Sequence, residues 1–368
     1  MTQSDTAPTP TPDHLAPPSL ADRAALFSVL TGGWLSQSCY ALTKLGIPDL
    51  LADGPRPAGE LAAAAGTDPR ALRRVLRALT AAGLFREPSP GVFALTPASR
   101  LLCTDTTRSS RSAAILFGEE VYRSFGEILT VLRTGRPAFG ELHGKPFYDY
   151  LDEQPEVRAR FTAAMGTAPV PTALAECDLT GLGTLVDVGG GDGGLLAKVL
   201  ARVPGARGIL TELPEAVDRA RAKLAGLGLA ERVGFVPGSF FDPLPGGGDV
   251  YTLSRVLHNW DDERATLILR RIREAIPDHG RLLVLERLET SAEPLDAAPS
   301  AFAAQGKLID LLMLVTLDGW DRTEAEYRAL LRQAGFEVRT VHTPPLRSAR
   351  AESAIEAVPA HPAEGGNR

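Results

Sequence analysis

Short apolar segments alternate with amphipathic segments through the second half of the chain. Residues 184–189 are rich in β-branched side chains and apolar on both faces, as in a parallel strand that helices cover on both sides. The spacing predicts strands at 184–189, 207–212, 232–237, 248–254 and 281–287, with helices at 193–203, 215–226 and 262–276 between most of them. Because strands and helices alternate, we expect a doubly wound α/β sheet that binds its ligands at the carboxyl ends of the strands.

The first 110 residues carry a different, mainly helical pattern. Leu26 to Leu45 predicts an apolar helix pair or a bent helix, and Arg70 to Ala81 predicts an amphipathic helix that follows a turn. Two short extended stretches flank Pro88 to Gly91 and predict a hairpin. Helix, turn, helix and hairpin in this order predict a winged helix.

These patterns divide the chain into segments. Pro, Thr and Ser dominate the first residues, where large apolar side chains are few, so we expect a disordered tail there. The connector between the two main domains includes a predicted long helix at 117–133, and two further extended stretches lie near 336–341 and 353–358. The expected segments are a tail at 1–19, a winged-helix domain at 20–110, a helical connector at 111–180, an α/β domain at 181–360 and a second tail at 361–368.

A glycine-rich turn joins the first strand of the predicted sheet to the helix that follows it. Gly189, Gly191 and Gly194 satisfy the pattern G-x-G-x-x-G, in which glycines turn the chain tightly and bring bare backbone against a ligand. Glu212 ends the next strand, where a carboxylate can accept hydrogen bonds from ribose hydroxyls. These residues predict a nucleoside cofactor, and both NAD and S-adenosylmethionine (SAM) fit the pattern.

A histidine follows the strand at 248–254 by a few residues, within the sequence His-Asn-Trp-Asp-Asp at 258–262. This position lies on the predicted ligand-binding edge of the sheet, and an imidazole of ordinary pKa, about 6.5, is largely neutral near pH 7. His258 is therefore a candidate general base. We expect Asp261 and Asp262 to cap the next helix. Because the other histidines and the cysteines are dispersed, we expect no metal site.

Composition narrows the class of protein. A chain of 368 residues, 44% of them hydrophobic, is long enough for two domains that each have a core. The net charge of −6 predicts no general attraction to nucleic acid or to an anionic membrane. The three cysteines lie far apart, which argues against a disulfide framework. The sequence suggests neither a signal peptide nor a membrane span, so we expect a cytoplasmic protein.

The sequence Asp-Val-Gly-Gly-Gly-Asp-Gly at 187–193 resembles the first motif of the class I SAM-dependent methyltransferases. Thr211 to Pro214 resembles their second motif, Gly238 to Phe241 resembles the third, and Leu253 to Asp262 resembles the catalytic segment of the small-molecule O-methyltransferases. That family includes plant caffeic-acid methyltransferases and bacterial enzymes that tailor polyketides and other aromatic natural products. The resemblance covers roughly residues 20–345. It implies SAM as cofactor, an aromatic hydroxyl as acceptor, and a homodimer joined by the N-terminal domain.

The resemblance also implies roles for individual residues. His258 matches the base that removes the acceptor proton, and Glu286 and Asp321 match the two acidic residues that flank it. The residues expected to bind the cofactor are Asp187, Gly189, Gly191, Glu212, Ser239, Phe240 and Ser254, and those expected to contact the acceptor are Phe161, Met165 and Asn259. At three positions near the cofactor, relatives often carry an aspartate, a lysine and a serine, whereas this chain has Ser239, Ser254 and Pro169.

Three other functions fit parts of the sequence. Arg70, Arg73, Arg74 and Arg77 lie on one face of the predicted recognition helix, so a winged-helix DNA-binding regulator with a ligand-sensing domain is one alternative. The glycine pattern taken alone also fits an NAD-dependent oxidoreductase. Some proteins of the methyltransferase fold bind SAM but catalyse decarboxylation or hydroxylation, although a histidine at 258 favours methyl transfer.

Overall fold

The computed structural model describes residues 17–166, 170–289, 301–343 and 352–360, with the backbone alone at 301–305. Pro169 and most of the two predicted tails lie outside the described residues. The chain forms two compact units, residues 1–103 and residues 104–368, and each has a hydrophobic core. Among the helices of the described ranges, none is both long and apolar enough to cross a membrane.

The N-terminal unit is mainly helical and contains one small sheet. Its helices are α1 (Leu20–Lys44), α2 (Ile47–Leu50), α3 (Ala58–Ala65), α4 (Pro69–Ala81) and α5 (Pro97–Arg100). Its strands are β1 (Arg56–Pro57), β2 (Phe85–Ser89) and β3 (Val92–Leu95), which form an antiparallel sheet of order β1-β3-β2. Leu61, Leu76 and Phe93 are fully buried in its core. The helix-turn-helix and hairpin expected from the sequence are both found in this unit.

Helix α1 is one continuous helix of 25 residues, so the alternative of two separate helices is wrong. Ser19 and Asp22 start it with a capping box, in which each side chain binds the backbone N–H of the other residue. Much of its surface is apolar and exposed: Leu26, Phe27 and Trp34 are each at least 60% exposed. An apolar helix face of this extent is typical of a surface that binds another protein chain.

Helix α4 buries its leucines and leaves its arginines in solvent. Leu72, Leu76 and Leu79 lie in the core, as the apolar spacing predicts. The arginines of the opposite face, Arg70, Arg73, Arg74 and Arg77, are all exposed. Asp68 caps the helix by accepting the N–H groups of its first turn.

The prediction of one uninterrupted helix at 117–133 is wrong, because the helical segments run on from 111 to 126 with a π-helical turn among them and then break at Glu127. The segments are α6 (Arg111–Leu116), a π-helical turn (Phe117–Val121), α7 (Tyr122–Gly126) and α8 (Ile128–Thr134). Gly118 and Gly126 lower the helix propensity here, and the backbone of Glu127 leaves helical geometry with φ −100° and ψ 14°. Helices α9 (Phe139–His143), α10 (Phe147–Glu153) and α11 (Pro155–Met165) follow.

A seven-stranded sheet forms the centre of the second unit. Its strands are β4 (Thr184–Val188), β5 (Arg207–Glu212), β6 (Val233–Pro237), β7 (Val250–Ser254), β8 (Arg281–Glu286), β9 (Phe336–His342) and β10 (Ser353–Pro359). The strand order is β6-β5-β4-β7-β8-β10-β9; β4 to β8 pair in parallel, and β10 pairs antiparallel with β8 and β9. All seven strands lie within two residues of their predicted bounds, and the doubly wound α/β prediction is confirmed.

Helices α12 (Gly194–Arg202), α13 (Pro214–Gly226), α14 (Asp262–Ala275) and α16 (Glu324–Gln333) cover this sheet. Helix α15 (Ala301–Thr316) packs instead against the helices of residues 117–143. Alternate residues of β4 enter two different hydrophobic clusters, Val186 and Val188 in one and Leu185 in the other, because side chains alternate between the faces of a strand. The chain runs from β4 to β5 on one side, and β7 lies on the other side of β4. Such a switch in strand order opens a ligand crevice at the carboxyl ends of these strands.

Candidate active site

Asp187 lies almost fully buried near the carboxyl end of β4. Its Oδ1 accepts a hydrogen bond of 2.8 Å from the hydroxyl of Thr252 on β7, and its Oδ2 has no hydrogen-bond partner. Burial raises the pKa of Asp187 to about 7, against the effect of the Thr252 bond. A buried carboxylate oxygen without a partner is costly, so this atom is suited to accept a hydrogen bond from a ligand.

The glycine turn after β4 lies directly over this carboxylate. A Cβ at Gly190 would approach Asp187 Oδ2 to 2.6 Å, so the turn can pass only as bare backbone. Helix α12 is capped by Gly193, with φ 77°, whereas Gly194 already lies inside the helix. The third glycine of the pattern thus lies in the first turn of the helix, within the predicted helix at 193–203.

Glu212 ties the glycine turn to the end of β5. Its Oε2 accepts the N–H of Gly191 at 3.1 Å, and its Oε1 accepts the N–H of Leu213 at 2.8 Å. Burial raises the pKa of Glu212, and these two amide bonds oppose the rise. The N–H of Gly189 donates to the carbonyl of Thr211 at 2.9 Å. The backbone and carboxylate groups expected to bind a nucleoside thus share one crevice.

Aromatic side chains surround the same crevice. The ring of Phe240 lies 3.4 Å from the Cβ position of Gly189. Phe240 and Phe241 meet Trp260 edge to face, and Tyr148 stacks on Trp260 with 5.1 Å between ring centroids. These rings form an apolar wall of the kind that packs on a flat heterocycle.

The two serines expected near the cofactor have different surroundings. Ser239 stabilises the turn after β6, because its hydroxyl accepts the N–H of Phe241 at 3.2 Å and its own N–H donates to Asp242 at 3.3 Å. Ser254 is the last residue of β7 and is half-buried. Both lie at carboxyl ends of parallel strands, which is the edge where the crevice opens.

His258 lies in a short 3-10 turn, Leu257–Asn259, that follows β7. Its Nδ1 is 3.7 Å from Glu286 Oε2 and 3.5 Å from Asp321 Oδ1. These distances exceed those of ordinary hydrogen bonds, and all three atoms are buried without another partner. The structure thus brings together the histidine and the two acidic residues that the resemblance groups into one site, with both carboxylates on the same ring nitrogen.

The two carboxylates differ in what else they bind. Glu286 Oε1 accepts the N–H groups of Val256 and Leu257 at 2.9 and 2.8 Å, so Glu286 also anchors the turn that carries His258. Asp321 Oδ2 accepts a hydrogen bond of 2.5 Å from Nε of Arg287. Glu286 is therefore bound to neutral amides and Asp321 to a cation.

Because their partners differ, the pKa values of the two carboxylates shift in opposite directions. Burial alone would lower the pKa of His258, but the carboxylates of Glu286 and Asp321 outweigh it and raise the pKa. Burial raises the pKa of Glu286, with His258 opposing the rise. Burial also disfavours ionised Asp321, yet its contacts with His258 and Arg287 hold the pKa of Asp321 below its ordinary value. Asp321 is the carboxylate that stays anionic beside the imidazole.

Residues 319–322 hold the histidine turn from the other side. Arg322 is fully buried and donates to the carbonyls of Leu257 at 3.0 Å and Trp260 at 2.7 Å, which lie on either side of His258. A Cβ at Gly319 would collide with the carbonyl oxygen of His258 and with the peptide that follows it. The two backbone segments are therefore in direct contact, and the turn has little freedom to move.

The residues expected to contact the acceptor lie on two elements. Phe161 on α11 packs edge-on against Phe147 and Tyr148, and Met165 on the same helix is 44% exposed. Asn259 uses its side-chain N–H groups within the histidine turn, where they bind the carbonyls of residues 255 and 256 at 3.0 and 3.2 Å. Asn259 also lines a cleft of about 660 Å³, to which His258, Phe161 and Met165 do not contribute.

Several residues that shape the site were not identified from the sequence. They are Tyr148, Thr252, Arg287, Gly319 and Arg322. Thr252 and Arg287 lie within the predicted strands at 248–254 and 281–287. Their positions toward the carboxyl ends of these strands, where the sheet binds ligands, were the available signal. Gly319 and Arg322 carry no local signal, because they contact a turn that is 60 residues away in the sequence. Among the described residues, no group of three or more His, Cys, Asp or Glu side chains could hold a metal ion.

Two family models match the chain. The O-methyltransferase domain matches residues 125–337, and the O-methyltransferase dimerisation domain matches residues 27–105. The chain belongs to the O-methyltransferase family. The resemblance inferred from the motifs is therefore confirmed, and this O-methyltransferase carries the dimerisation domain in its N-terminal unit.

Relatives match this O-methyltransferase over most of its length. The phenazine O-methyltransferase PhzM of Lysobacter antibioticus is 40% identical over 91% of this chain and 95% of its own. The O-demethylpuromycin-O-methyltransferase of Streptomyces alboniger is 41% identical over 92% of this chain and 93% of its own. These relatives support methyl transfer and give no support to the DNA-binding or NAD-dependent alternatives.

A solved structure from neocarzinostatin biosynthesis also matches this O-methyltransferase. That protein is an O-methyltransferase in complex with SAM and 2-hydroxy-5-methyl naphthoic acid. The match has a TM-score of 0.75 at 34% identity and covers 88% of this chain and 95% of that chain.

Proposed function

We propose that this O-methyltransferase transfers a methyl group from SAM to a hydroxyl of an aromatic small molecule in antibiotic or other secondary-metabolite biosynthesis. The observation that carries the proposal is His258, half-buried at the carboxyl edge of the sheet with Glu286 and Asp321 both facing its Nδ1. A hydroxyl acceptor must lose a proton in the reaction, and this arrangement supplies a base for it. The named relatives, a phenazine O-methyltransferase and an O-demethylpuromycin-O-methyltransferase, support the substrate class.

The crevice fits a nucleoside that carries a positive charge. Asp187 Oδ2 is buried without a partner, Glu212 lies at the end of β5, and the turn at 189–191 presents bare backbone between them. We assign cofactor binding to these groups, with Phe240 packing on the base and with Ser239 and Ser254 at the rim. When bound, SAM supplies an electrophilic methyl group on a sulfonium, which is already a good leaving group.

His258 performs the proton transfer in this proposal. Because Nδ1 faces two acceptors, the favoured neutral tautomer carries its proton on Nδ1 and leaves Nε2 to accept the proton of the acceptor hydroxyl. Asp321, held anionic by Arg287, then stabilises the imidazolium. The raised pKa makes His258 a stronger base but keeps it protonated to a higher pH. We therefore expect kcat/KM to rise with pH as His258 loses its proton.

The acceptor requires an apolar, aromatic environment next to this base. Phe161 and Met165 on α11 supply apolar surface, and Asn259 adjoins the base in sequence. We assign acceptor contact to these three residues. The acceptor must present its hydroxyl to His258 in line with the methyl group, because correct alignment supplies much of the rate of an in-line displacement.

A labelling experiment tests the proposed reaction. The enzyme is incubated with SAM that carries a deuterated methyl group and with hydroxynaphthoic and hydroxyphenazine acceptors, each paired with its amino analogue. We expect the label on the oxygen of a hydroxyl acceptor, as located by NMR and mass spectrometry. Transfer to the amino analogues alone, or to ring carbon, would contradict the assignment of an O-methyltransferase that uses a base.

Substitution of Glu212 tests the cofactor site. Glu212→Gln removes the negative charge and keeps one of the two oxygens that accept the N–H groups of Gly191 and Leu213. Because a hydrogen bond to a charged group contributes about 1.5–3 kcal/mol, we expect the affinity for SAM to fall by roughly ten- to a hundredfold. Glu231→Gln, an exposed position before β6 at the opposite edge of the sheet, is the matched control. If calorimetry gives the same SAM affinity for both variants, Glu212 does not contribute to cofactor binding.

The dimerisation domain makes this O-methyltransferase a homodimer. We propose that the exposed apolar face of α1, around Phe27 and Trp34, contributes to the contact between subunits. We also propose a cytoplasmic location, which agrees with three cysteines that form no disulfide. We further propose that the chain is divided into a winged-helix domain at 20–110, a connector at 111–180 and a catalytic domain at 181–360.

A further inference from the structure

We propose that Arg287 is a positioning residue that holds Asp321 and thereby sets the pH at which His258 works as the base. The inference rests on the proposed function, because it concerns the residue to which the proton transfer is assigned. It goes further by giving a role to a cation that touches neither the imidazole nor the crevice residues described above.

The geometry places Asp321 between a cation and the imidazole. Arg287 directly follows Glu286 at the end of β8, and its Nε lies 2.5 Å from Asp321 Oδ2. The other oxygen, Oδ1, faces His258 Nδ1 at 3.5 Å. The backbone N–H of Asp321 donates to Asp310 Oδ1 at 2.9 Å. Arg287 thus holds the carboxylate at Oδ2 and Asp310 holds the backbone of the same residue, which leaves Oδ1 directed toward His258.

A counter-charge is needed because two carboxylates face one ring nitrogen. Each carboxylate stabilises the imidazolium, and together they would keep His258 protonated at the pH where it must accept a proton. The guanidinium of Arg287 is permanently charged, and its effect on His258 is to lower the pKa, opposite to that of the carboxylates. Arg287 therefore limits how far the two anions raise the basicity of His258.

Among the residues that the structure describes, the other charged groups named around Arg287 and Asp321 are paired with an opposite charge or are neutral. Arg322 is bound to Asp262 at 2.9 Å, and Lys307 lies 3.6 Å from Glu289. Tyr327 on α16 is buried, and burial raises its pKa well above the ordinary value, so it stays neutral.

Two further carboxylates lie near Arg287. Burial raises the pKa of Asp310, which binds the Asp321 amide. Glu352, just before β10, is paired with Arg255 at 2.5 Å. Arg287 is thus the cation that acts on Asp321 directly.

Three variants test the proposal. Arg287→Gln removes the charge, and Arg287→Lys keeps it. The matched control is Arg281→Gln, which breaks a similar half-buried pair with Glu356 (2.8 Å) at the other end of β8. Arg281 is about 20 Å from Arg287 along the strand, well beyond the screening length of about 8 Å at physiological salt.

Two readouts are combined. NMR titration of the imidazole, with His258→Gln to assign the signal, reports on His258 without any acceptor. The pH profile of kcat/KM reports on the reaction. In Arg287→Gln we expect the titration and the acidic limb of the profile to move to higher pH. Activity on that limb should fall by roughly three- to tenfold and recover at alkaline pH. Arg287→Lys and Arg281→Gln should titrate like the wild type.

The outcomes separate this proposal from the proposed function. An unchanged His258 titration in Arg287→Gln overturns the role of Arg287, and so does an equal shift in Arg281→Gln. A shift in Arg287→Lys, which keeps the charge, overturns it even if Arg287→Gln does not fold. If Arg287→Gln loses activity at every pH while His258 titrates normally, Arg287 has only a structural role. By contrast, absence of methyl transfer by the wild-type enzyme, with the expected NMR shifts, would count against the proposed function alone.

Discussion

Replacing His258 with alanine is expected to lower kcat by about 10²–10⁴-fold, the usual contribution of a general base, and to leave the affinity for SAM unchanged. The reason is spatial. His258 lies in the turn after β7, whereas the two carboxylates assigned to the cofactor, Asp187 and Glu212, lie at the ends of β4 and β5. The loss should therefore appear in the chemical step, measured by single-turnover methyl transfer, and calorimetry should report normal SAM binding.

A second histidine provides the control for this experiment. His279 is 75% exposed and lies 3.7 Å from Asp249, so it also neighbours a carboxylate, but it precedes β8 at the amino ends of the strands, opposite the crevice. His279→Ala should keep wild-type rates. His258→Gln, which retains a polar group of similar size, should be as slow as His258→Ala. Wild-type turnover in either variant at 258 would show that another group, or water, removes the proton.

The second large effect concerns a residue that cannot take part in the chemistry. Gly319→Ala is expected to lower kcat/KM by roughly 10²-fold, because displacing a reacting group by about 1 Å can cost that much. The added methyl would collide with the carbonyl of His258 and the peptide after it. Arg322 and Glu286 hold the same turn from two sides, so the clash must move the turn or strain its neighbours. Overpacking of this kind destabilises a fold by about 1–3 kcal/mol.

Gly226→Ala is the matched control, since a Cβ at the end of α13 would meet nothing within 4 Å. Alanine there should raise the free energy of unfolding slightly, by about 0.5–1 kcal/mol at most, because glycine is a poor helix former. Thermal unfolding and kcat/KM are measured for both variants. Normal activity in Gly319→Ala would mean that the histidine turn tolerates displacement and that its close backbone contact has no part in aligning the base.

The sheet could be predicted from the sequence because its signals are local. Each buried strand is a short apolar run, and turn residues mark its ends, so the bounds of β4 to β10 follow within two residues. The helices at 111–134 could not be predicted in the same way. A glycine in a helical pattern lowers helix propensity without deciding where the backbone breaks, and the break at Glu127 depends on packing.

The candidate site could be predicted in its residues but not in its geometry. The motifs pointed to His258, Glu286 and Asp321, and the structure places both carboxylates at Nδ1. That arrangement depends on three segments that meet only in the fold. For the same reason, no sequence pattern indicates that Arg287 binds Asp321. Contacts between distant segments carry no periodic signal.

Calorimetric titration of the full-length protein with SAM, S-adenosylhomocysteine and NAD tests the central claim most directly, because it needs no knowledge of the acceptor. We expect saturable binding of SAM and of S-adenosylhomocysteine with dissociation constants on the order of 1–100 μM, and no heat of binding for NAD. Binding of NAD with no binding of either sulfur nucleoside, in a sample shown to be folded, would contradict the assignment of SAM-dependent methyl transfer.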